Sequence, residues 1–570
     1  MVAFYLVSLL LLCVIYAWHR QKQRLPPGPT PLPLIGNILQ LPNKAPWEAM
    51  KELGAKYGPI MTVKFGFRTV IILNTRDAAR DLLEKRANVY SSRPRMISFS
   101  EYLFRNTIPV AMPYTPEWLA LHRLQLRILN PRAARASAHI QALSVKWFMS
   151  QLLDGTAIAD KVAWLAVNAS STLVFGTPVG SATLSEAHEI GFIVAQIIDS
   201  ICIENILVDL FPFLDRIPGV RQAGMKRGDA VLDTVSRTMD DKLYKAVHSP
   251  SWSMARGVYQ NQPADMTWEG FRIGVVEMHL AASAGTPLTL NAIILMAALH
   301  PDEVRKVRDE IDRIVGSDRL PSLEDWDQLP LVHAFIAECL RFRTTVPFSM
   351  PHATTHDDEY MGYRIPSDAL ILANQWAYNN DEDAFDEPQK FNPQRWIHNP
   401  DLPRPSTFGF GKRMCPGRHS VEKVMFLVVA SMMWGYDLTA KEGVTDEPVK
   451  GKSLVFQADL SGVRYSCRSA KYKEVIEREW NDVNPDAIAN YEQLVTCTIE
   501  ADVEKNKTRF NKSENTKFNI NGPNLEGNPE VDTAQSREFK QIRDLFIFQV
   551  LKGYKYMMLP SLTYQEVLSS

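Results

Sequence analysis

From Leu34 to Leu494 the chain runs without an internal repeat, a low-complexity segment or an obvious linker. A single unit of about 460 residues is more chain than one apolar core usually organises, so something central must hold it together. At ~150 residues per domain the full 570 residues suggest three or four domains, but between Leu34 and Leu494 no obvious linker marks where they would part. Most amphipathic stretches in this unit carry apolar residues at three- and four-residue spacing, as in Glu303–Val315, Leu331–Arg341 and Val421–Trp434. Runs of β type are short and few: Ile60–Phe65, Val70–Leu73 and Leu370–Ala373. The pattern predicts a mainly α domain with small β-sheets, an α+β arrangement, over residues 34–494. Lys+Arg 63 against Asp+Glu 64 leaves a net charge of -1, which excludes an overall basic footprint and argues against a nucleic-acid partner. A chain 46% hydrophobic and 22% charged is not wholly disordered. Six cysteines without a Cys-x-x-Cys pair suit neither a disulfide scaffold nor a structural zinc site.

Residues 1–18 are apolar apart from Ser8, and as a helix they would span about 27 Å, close to the thickness of a hydrocarbon layer. The cations His19, Arg20, Lys22 and Arg24 follow this run rather than precede it, and no A-x-A cleavage site appears. The expectation is an uncleaved transmembrane anchor with the following chain on the cytoplasmic side. Residues 19–33 form a basic, Pro-rich connector in which LPPGPTPLP is stiff and extended. Residues 495–570 differ from the body. Seven asparagines fall between Asn506 and Asn528 among Lys, Glu, Gly and Pro, which predicts a disordered tail, either genuine or read past a natural stop.

The most specific stretch is Phe408-Gly-Phe-Gly-Lys-Arg-Met-Cys-Pro-Gly-Arg418. Glycines on both sides of Cys415 permit close backbone approach and left-handed turns. Pro416 and Gly417 lead into the helical run Val421–Trp434, so Cys415 sits near a helix N-terminus, where backbone N–H groups favour a thiolate. Arg413 adds a cation for a thiolate or a carboxylate. A sulfur held this way suits axial ligation of haem iron. The segment resembles the haem-binding loop of the cytochrome P450 family, F-x-x-G-x-R-x-C-x-G, with Phe408, Gly411, Arg413, Cys415 and Gly417 at every fixed position. The resemblance implies haem b with the Cys415 thiolate as axial iron ligand, Arg413 near a propionate and Phe408 packed under the sulfur.

Further matches fall in family order. Glu338-Cys-Leu-Arg341 is similar to the family's E-x-x-R, and Phe391-Asn-Pro-Gln-Arg-Trp396 to its F-x-P-x-R-[FW]. Glu338 and Arg341 share a helix face, and Arg395 arriving from a later loop would complete a charge-assisted network that locks the core. Trp118 begins a run that resembles the family's W-x-x-x-R, but His122 stands at the arginine position and Arg123 comes one later. Either would serve a propionate. His352 in Pro351-His-Ala-Thr resembles a further basic propionate contact.

One pattern departs from the family. Its A-G-x-[DE]-T-[TS] helix corresponds here to Ala281-Ala-Ser-Ala-Gly-Thr-Pro-Leu-Thr289, and each of two registers leaves Ala284 or Gly285 where the acid belongs. Thr286 and Ser283 are the candidate catalytic hydroxyls, with ordered water or a substrate hydroxyl as alternatives. Pro287 removes one intrahelical bond and should loosen or kink the run.

The resemblance implies a membrane-anchored haem-thiolate monooxygenase of the endoplasmic reticulum, single-pass, with a cytoplasmic catalytic domain. It would use dioxygen, and electrons from NADPH through a separate cytochrome P450 reductase, to oxidise an apolar small molecule. Its details look most like fungal enzymes of secondary-metabolite biosynthesis. The missing acid keeps a haem-thiolate isomerase or dehydratase open as an alternative, and a non-catalytic haem-binding protein is the rival outside enzymes.

Overall fold

The computed structural model describes residues 24–483 apart from 42–43, 67, 203–204, 263–265 and 448–453. The expected anchor at residues 1–18, the basic part of the connector up to residue 23 and the tail at 495–570 lie outside the described residues. The helices that position the site are α1 (Pro116–Ile128), α2 (Ala138–Gln151), α3 (Ile158–Phe175), α4 (Leu184–Ser200), α5 (Pro218–Val235), α6 (Trp268–Leu299), α7 (Pro330–Phe342) and α8 (Arg418–Gly435). The strands are β1 (Ile60–Phe65), β2 (Arg68–Leu73), β3 (His352–Ala353), β4 (Asp358–Tyr360), β5 (Tyr363–Ile365), β6 (Leu370–Ala373), β7 (Tyr436–Ala440) and β8 (Val463–Cys467).

Helix starts follow local chemistry. Thr115 caps α1 by accepting from the Trp118 N–H, with Pro116 at the first helical position, where its missing donor costs nothing. Thr267 caps α6 by accepting from the Gly270 N–H at 3.1 Å. The four-stranded sheet runs β1-β2-β6-β3. Its β1–β2 hairpin is antiparallel, with Ile60 opposite Leu73, and β2 pairs with β6 in parallel, with Ile71 opposite Ile371. β4–β5 and β7–β8 are separate two-stranded sheets. Mostly helix with small sheets is the arrangement expected.

Helix α6 resolves how so long a unit coheres. Its first half, with Phe271, Val275, Val276 and Leu280, packs into one apolar cluster with α3, α4 and α5. Its second half, from Leu290 to Ala298, packs into another with α2, α7 and α8. The intervening stretch 281–289 belongs to neither cluster. Long and apolar enough to cross a membrane, α6 is nevertheless a core helix, with 67% of its most apolar window buried. It runs through Pro287 without interruption, and Thr289 Oγ1 donates to the Gly285 carbonyl at 3.0 Å beside the missing bond.

On the other side of the core, α7 carries the expected charge network. Glu338 and Arg341 are fully buried and paired twice, Nη2 to Oε1 at 2.8 Å and Nε to Oε2 at 2.9 Å. Arg395 Nε reaches Glu338 Oε1 at 3.2 Å, and Trp396 Nε1 donates to Oε2 at 3.0 Å. Arg341 also donates to the carbonyls of Asn379 and Pro388, each at 2.8 Å. The network ties α7 to the chain that leads into the Cys415 loop.

Candidate active site

The loop before α8 is shaped by its glycines. Gly409 and Gly411 have φ of +79° and +51°, in the left-handed region that side chains disfavour. A Cβ on Gly411 would lie 2.2 Å from the Leu83 carbonyl oxygen, so the position must be glycine. The turn is closed by the Cys415 N–H donating to the Phe408 carbonyl at 2.8 Å, which brings the Phe408 backbone to the cysteine. The Phe408 side chain packs on the cluster that contains α8.

Burial pushes the Cys415 thiol up, against the pull of the Gly417 and Arg418 backbone N–H groups and the Arg418 cation. The expected helix N-terminus is therefore there, but desolvation outweighs it, and the sulfur gives up its proton when a metal cation binds. The cation beside Cys415 is Arg418, not Arg413. Arg413 instead stacks its guanidinium 3.7 Å above the Trp118 ring and donates to the carbonyls of Ser91 (2.7 Å), Met112 (2.7 Å) and Pro109 (3.4 Å).

Arg93, which carries no sequence signature, completes this cluster. Its Nε donates to the Val110 carbonyl at 3.0 Å and its Nη1 to the carbonyls of Met350 (3.2 Å) and Pro351. His352 is buried beside it on β3, with Nδ1 2.7 Å from the Tyr90 carbonyl. His122 stacks on Trp118 with ring centroids 4.6 Å apart, next to Arg413, whereas Arg123 points to solvent. Of the two basic residues left open by the sequence, His122 is thus the one at the cluster.

Burial pulls Arg413 down to about 8 and Arg93 down to about 10, each also repelled by a neighbouring cation or only partly relieved by Glu277. Both remain charged at neutral pH. Burial also holds His352 down to about 3 and His122 down to about 4, so both rings are neutral. Among the described residues neither Arg93 nor Arg413 forms an ion pair with a carboxylate. A buried Arg93 and a half-buried Arg413, both charge-unpaired, beside two neutral imidazoles suit a dianionic ligand.

Facing this loop, α6 opens. Ala281 and Gly285 are exposed in the middle of a helix buried on both sides of them, and a Cβ on Gly285 would meet nothing within 4 Å. Glu277, one turn before Ala281, accepts from the Val110 N–H, in the segment whose carbonyls take Arg93 and Arg413, which places this face of α6 at the arginine cluster. Thr286 is buried next to the open stretch. Ser283 turns elsewhere: its hydroxyl lies 3.1 Å from that of Ser170 on α3, within the helix packing. Among the described residues no group of three or more His, Cys, Asp or Glu is gathered for a metal ion. A metal bound through Cys415 alone must bring its remaining ligands with it, and the anion-hungry arginines fit the carboxylates of a haem.

Comparison with known proteins points to one family. The family Cytochrome P450 matches residues 26–462. The chain is 33% identical to "Cytochrome P450 monooxygenase FrzL" of Cladobotryum sp, over 83% of this chain and 94% of that protein. It is 34% identical to "Cytochrome P450 monooxygenase criE" of Aspergillus cristatus, over 81% of this chain and 88% of that protein. It is 31% identical to "Fumitremorgin C synthase" of Aspergillus fumigatus, over 85% of this chain and 97% of that protein.

Proposed function

The chain belongs to the cytochrome P450 family, whose members use haem b held by a cysteine thiolate, and on that premise we propose that it inserts oxygen into an apolar small molecule in fungal secondary metabolism. The observation that carries this reading is the open small-residue face of α6 beside the Arg93–Arg413 cation cluster, with Cys415 in the same glycine-bent loop as Arg413. When bound, haem supplies the oxidative chemistry with dioxygen and electrons from NADPH. Cys415 would ligate its iron, and Arg413 and Arg93 would hold its propionates with His122 and His352 beside them, while Trp118 backs the Arg413 fork. Ala281, Ala284 and Gly285 leave room for an apolar substrate and offer water no polar side chain to bind. The electrons come through a separate NADPH-cytochrome P450 reductase. Residues 1–18 anchor the chain in the endoplasmic reticulum membrane, where such a reductase and apolar substrates meet the cytoplasmic catalytic domain.

The test starts from small molecules that shift the haem absorbance of the purified protein. With one of these, reductase and NADPH, the product should carry oxygen from isotopically labelled dioxygen. Unlabelled product formed equally well without NADPH would overturn the monooxygenase reading in favour of an isomerase or dehydratase, the alternative that the absent acid at Ala284 and Gly285 favours.

With Ser283 committed to Ser170, proton supply near the open stretch falls to the Thr286 hydroxyl. Thr286→Ala should raise the NADPH consumed per product by roughly 100-fold, the low end of what a positioned proton donor contributes. Ser283→Ala should leave that ratio unchanged and cost only about 1 kcal/mol of stability, the usual net worth of one hydrogen bond. An unchanged ratio in Thr286→Ala would assign the proton to ordered water or substrate.

A further inference from the structure

Glu277 has no role in the proposed function, yet it occupies a singular position. Between Arg272 and Leu299 it is the one carboxylate on α6. It precedes Ala281 by four residues and Ala284 by seven, so at 3.6 residues per turn it shares their open face. Its Oε2 accepts from Gln125 Nε2 of α1 at 2.7 Å, and its Oε1 accepts from the backbone N–H of Val110.

Val110 lies in the one-turn 3-10 helix Pro109–Ala111, and this turn is where both arginines are held. The Val110 carbonyl takes Arg93, the Pro109 carbonyl takes Arg413, and the adjacent Met112 carbonyl takes Arg413 again. A three-residue turn has little rigidity of its own: its internal bonds are Ala111 N–H to Ile108 and Met112 N–H to Pro109, at 3.1 and 3.2 Å. The Val110 N–H has no carbonyl partner within the turn and would be an unsatisfied donor in a half-buried segment without Glu277. One side chain on α6 therefore fastens the segment from which two guanidinium groups are oriented.

We propose that Glu277 is a positioning residue of the haem site, anchoring the Pro109–Ala111 turn to α6 so that the turn's carbonyls set Arg93 and Arg413 for the haem propionates. The proposal rests on the haem reading of the site. It assigns Glu277 an acceptor's role rather than a charge. Burial pushes its carboxyl up to about 7, against the pull of Gln125, the Val110 N–H, Arg413 and Arg93. An amide oxygen can therefore replace it, whereas an apolar side chain cannot.

The experiment measures haem transfer from the holoprotein to excess apomyoglobin. Glu277→Leu should release haem about tenfold faster, the factor that corresponds to losing one ordinary hydrogen bond. Glu277→Gln should stay within about twofold of the unsubstituted protein, since its oxygen still accepts from Val110. Glu277→Asp, shorter by one methylene, should release haem several-fold faster and serves if Glu277→Leu accumulates poorly. Because Glu277 acts through the arginines, adding Glu277→Leu to Arg413→Leu should increase the rate much less than it does alone. Unchanged release in both Glu277→Leu and Glu277→Asp, or effects that multiply with Arg413→Leu, would overturn the proposal while leaving the haem reading intact. An unsubstituted protein without a thiolate-type carbon-monoxide spectrum would overturn both.

Discussion

Cys415→Ala abolishes the absorption band at about 450 nm that the reduced carbon-monoxide complex of the unsubstituted protein gives, and takes turnover to background. The expectation is this severe because, among the described residues, no other cysteine is placed to replace the sulfur. Cys339 is buried within α7, next to the Glu338 carboxylate, and burial pushes its thiol well above the ordinary range. Cys467 lies on β8 with its thiol donating to the Ser469 carbonyl, and Cys202 donates to that of Ile198. The arginines of the site, proposed to hold the haem carboxylates rather than its iron, remain in the alanine variant, which should therefore retain some haem with an altered spectrum. Cys339→Ala is the control: it removes a cysteine of the same chain and should leave the band in place. A band that survives in Cys415→Ala, or disappears in Cys339→Ala, would move the iron ligand elsewhere.

The contrast between these cysteines is legible in the sequence alone, because what distinguishes Cys415 is local. Glycines at 409 and 411 take left-handed conformations, the Cys415 N–H returns to Phe408, and α8 begins three residues later, all within one short stretch of chain. The strand runs at Ile60–Phe65 and Leu370–Ala373 are legible for the same reason, although their shared sheet is not, since β2 meets β6 across some 300 residues. Arg93 carries no signature in Ser92-Arg93-Pro94; it matters only because folding brings Val110 and Pro351 to it. Likewise Ser283 reads as a hydroxyl near the open face until α3 supplies Ser170 as its partner. The choice between His122 and Arg123 depends on which side of α1 faces Arg413, and Trp118 decides it by stacking on His122. Glu277 does leave a signal in the sequence: a lone acid in an otherwise apolar helical run, which is costly unless the fold gives it partners.

The second large effect concerns stability. Glu338→Ala removes the carboxylate that faces two guanidinium groups, Arg341 and Arg395, in a region with no solvent to replace it. Breaking a buried pair from one side typically costs roughly 3–5 kcal/mol, because the remaining charge is stranded. The Trp396 indole and the Asn392 N–H lose their acceptor as well, about 1 kcal/mol each. Against a total stability of about 5–15 kcal/mol, the loss is enough to leave little folded protein at 37 °C, roughly the usual assay temperature. Urea titration of the holoprotein, followed by haem absorbance and far-ultraviolet circular dichroism, measures it. Glu338→Gln, which keeps the shape and one acceptor but not the charge, should fall between. The attraction offsets much of the cost of desolvating three ions, so replacing them together is gentler than breaking the set. Glu338→Leu combined with Arg341→Met and Arg395→Leu should regain part of what Glu338→Ala loses. The carbonyls of Asn379 and Pro388, then without Arg341, keep that recovery incomplete. A midpoint unchanged in Glu338→Ala would mean that the network is not what holds α7 to the Cys415 loop.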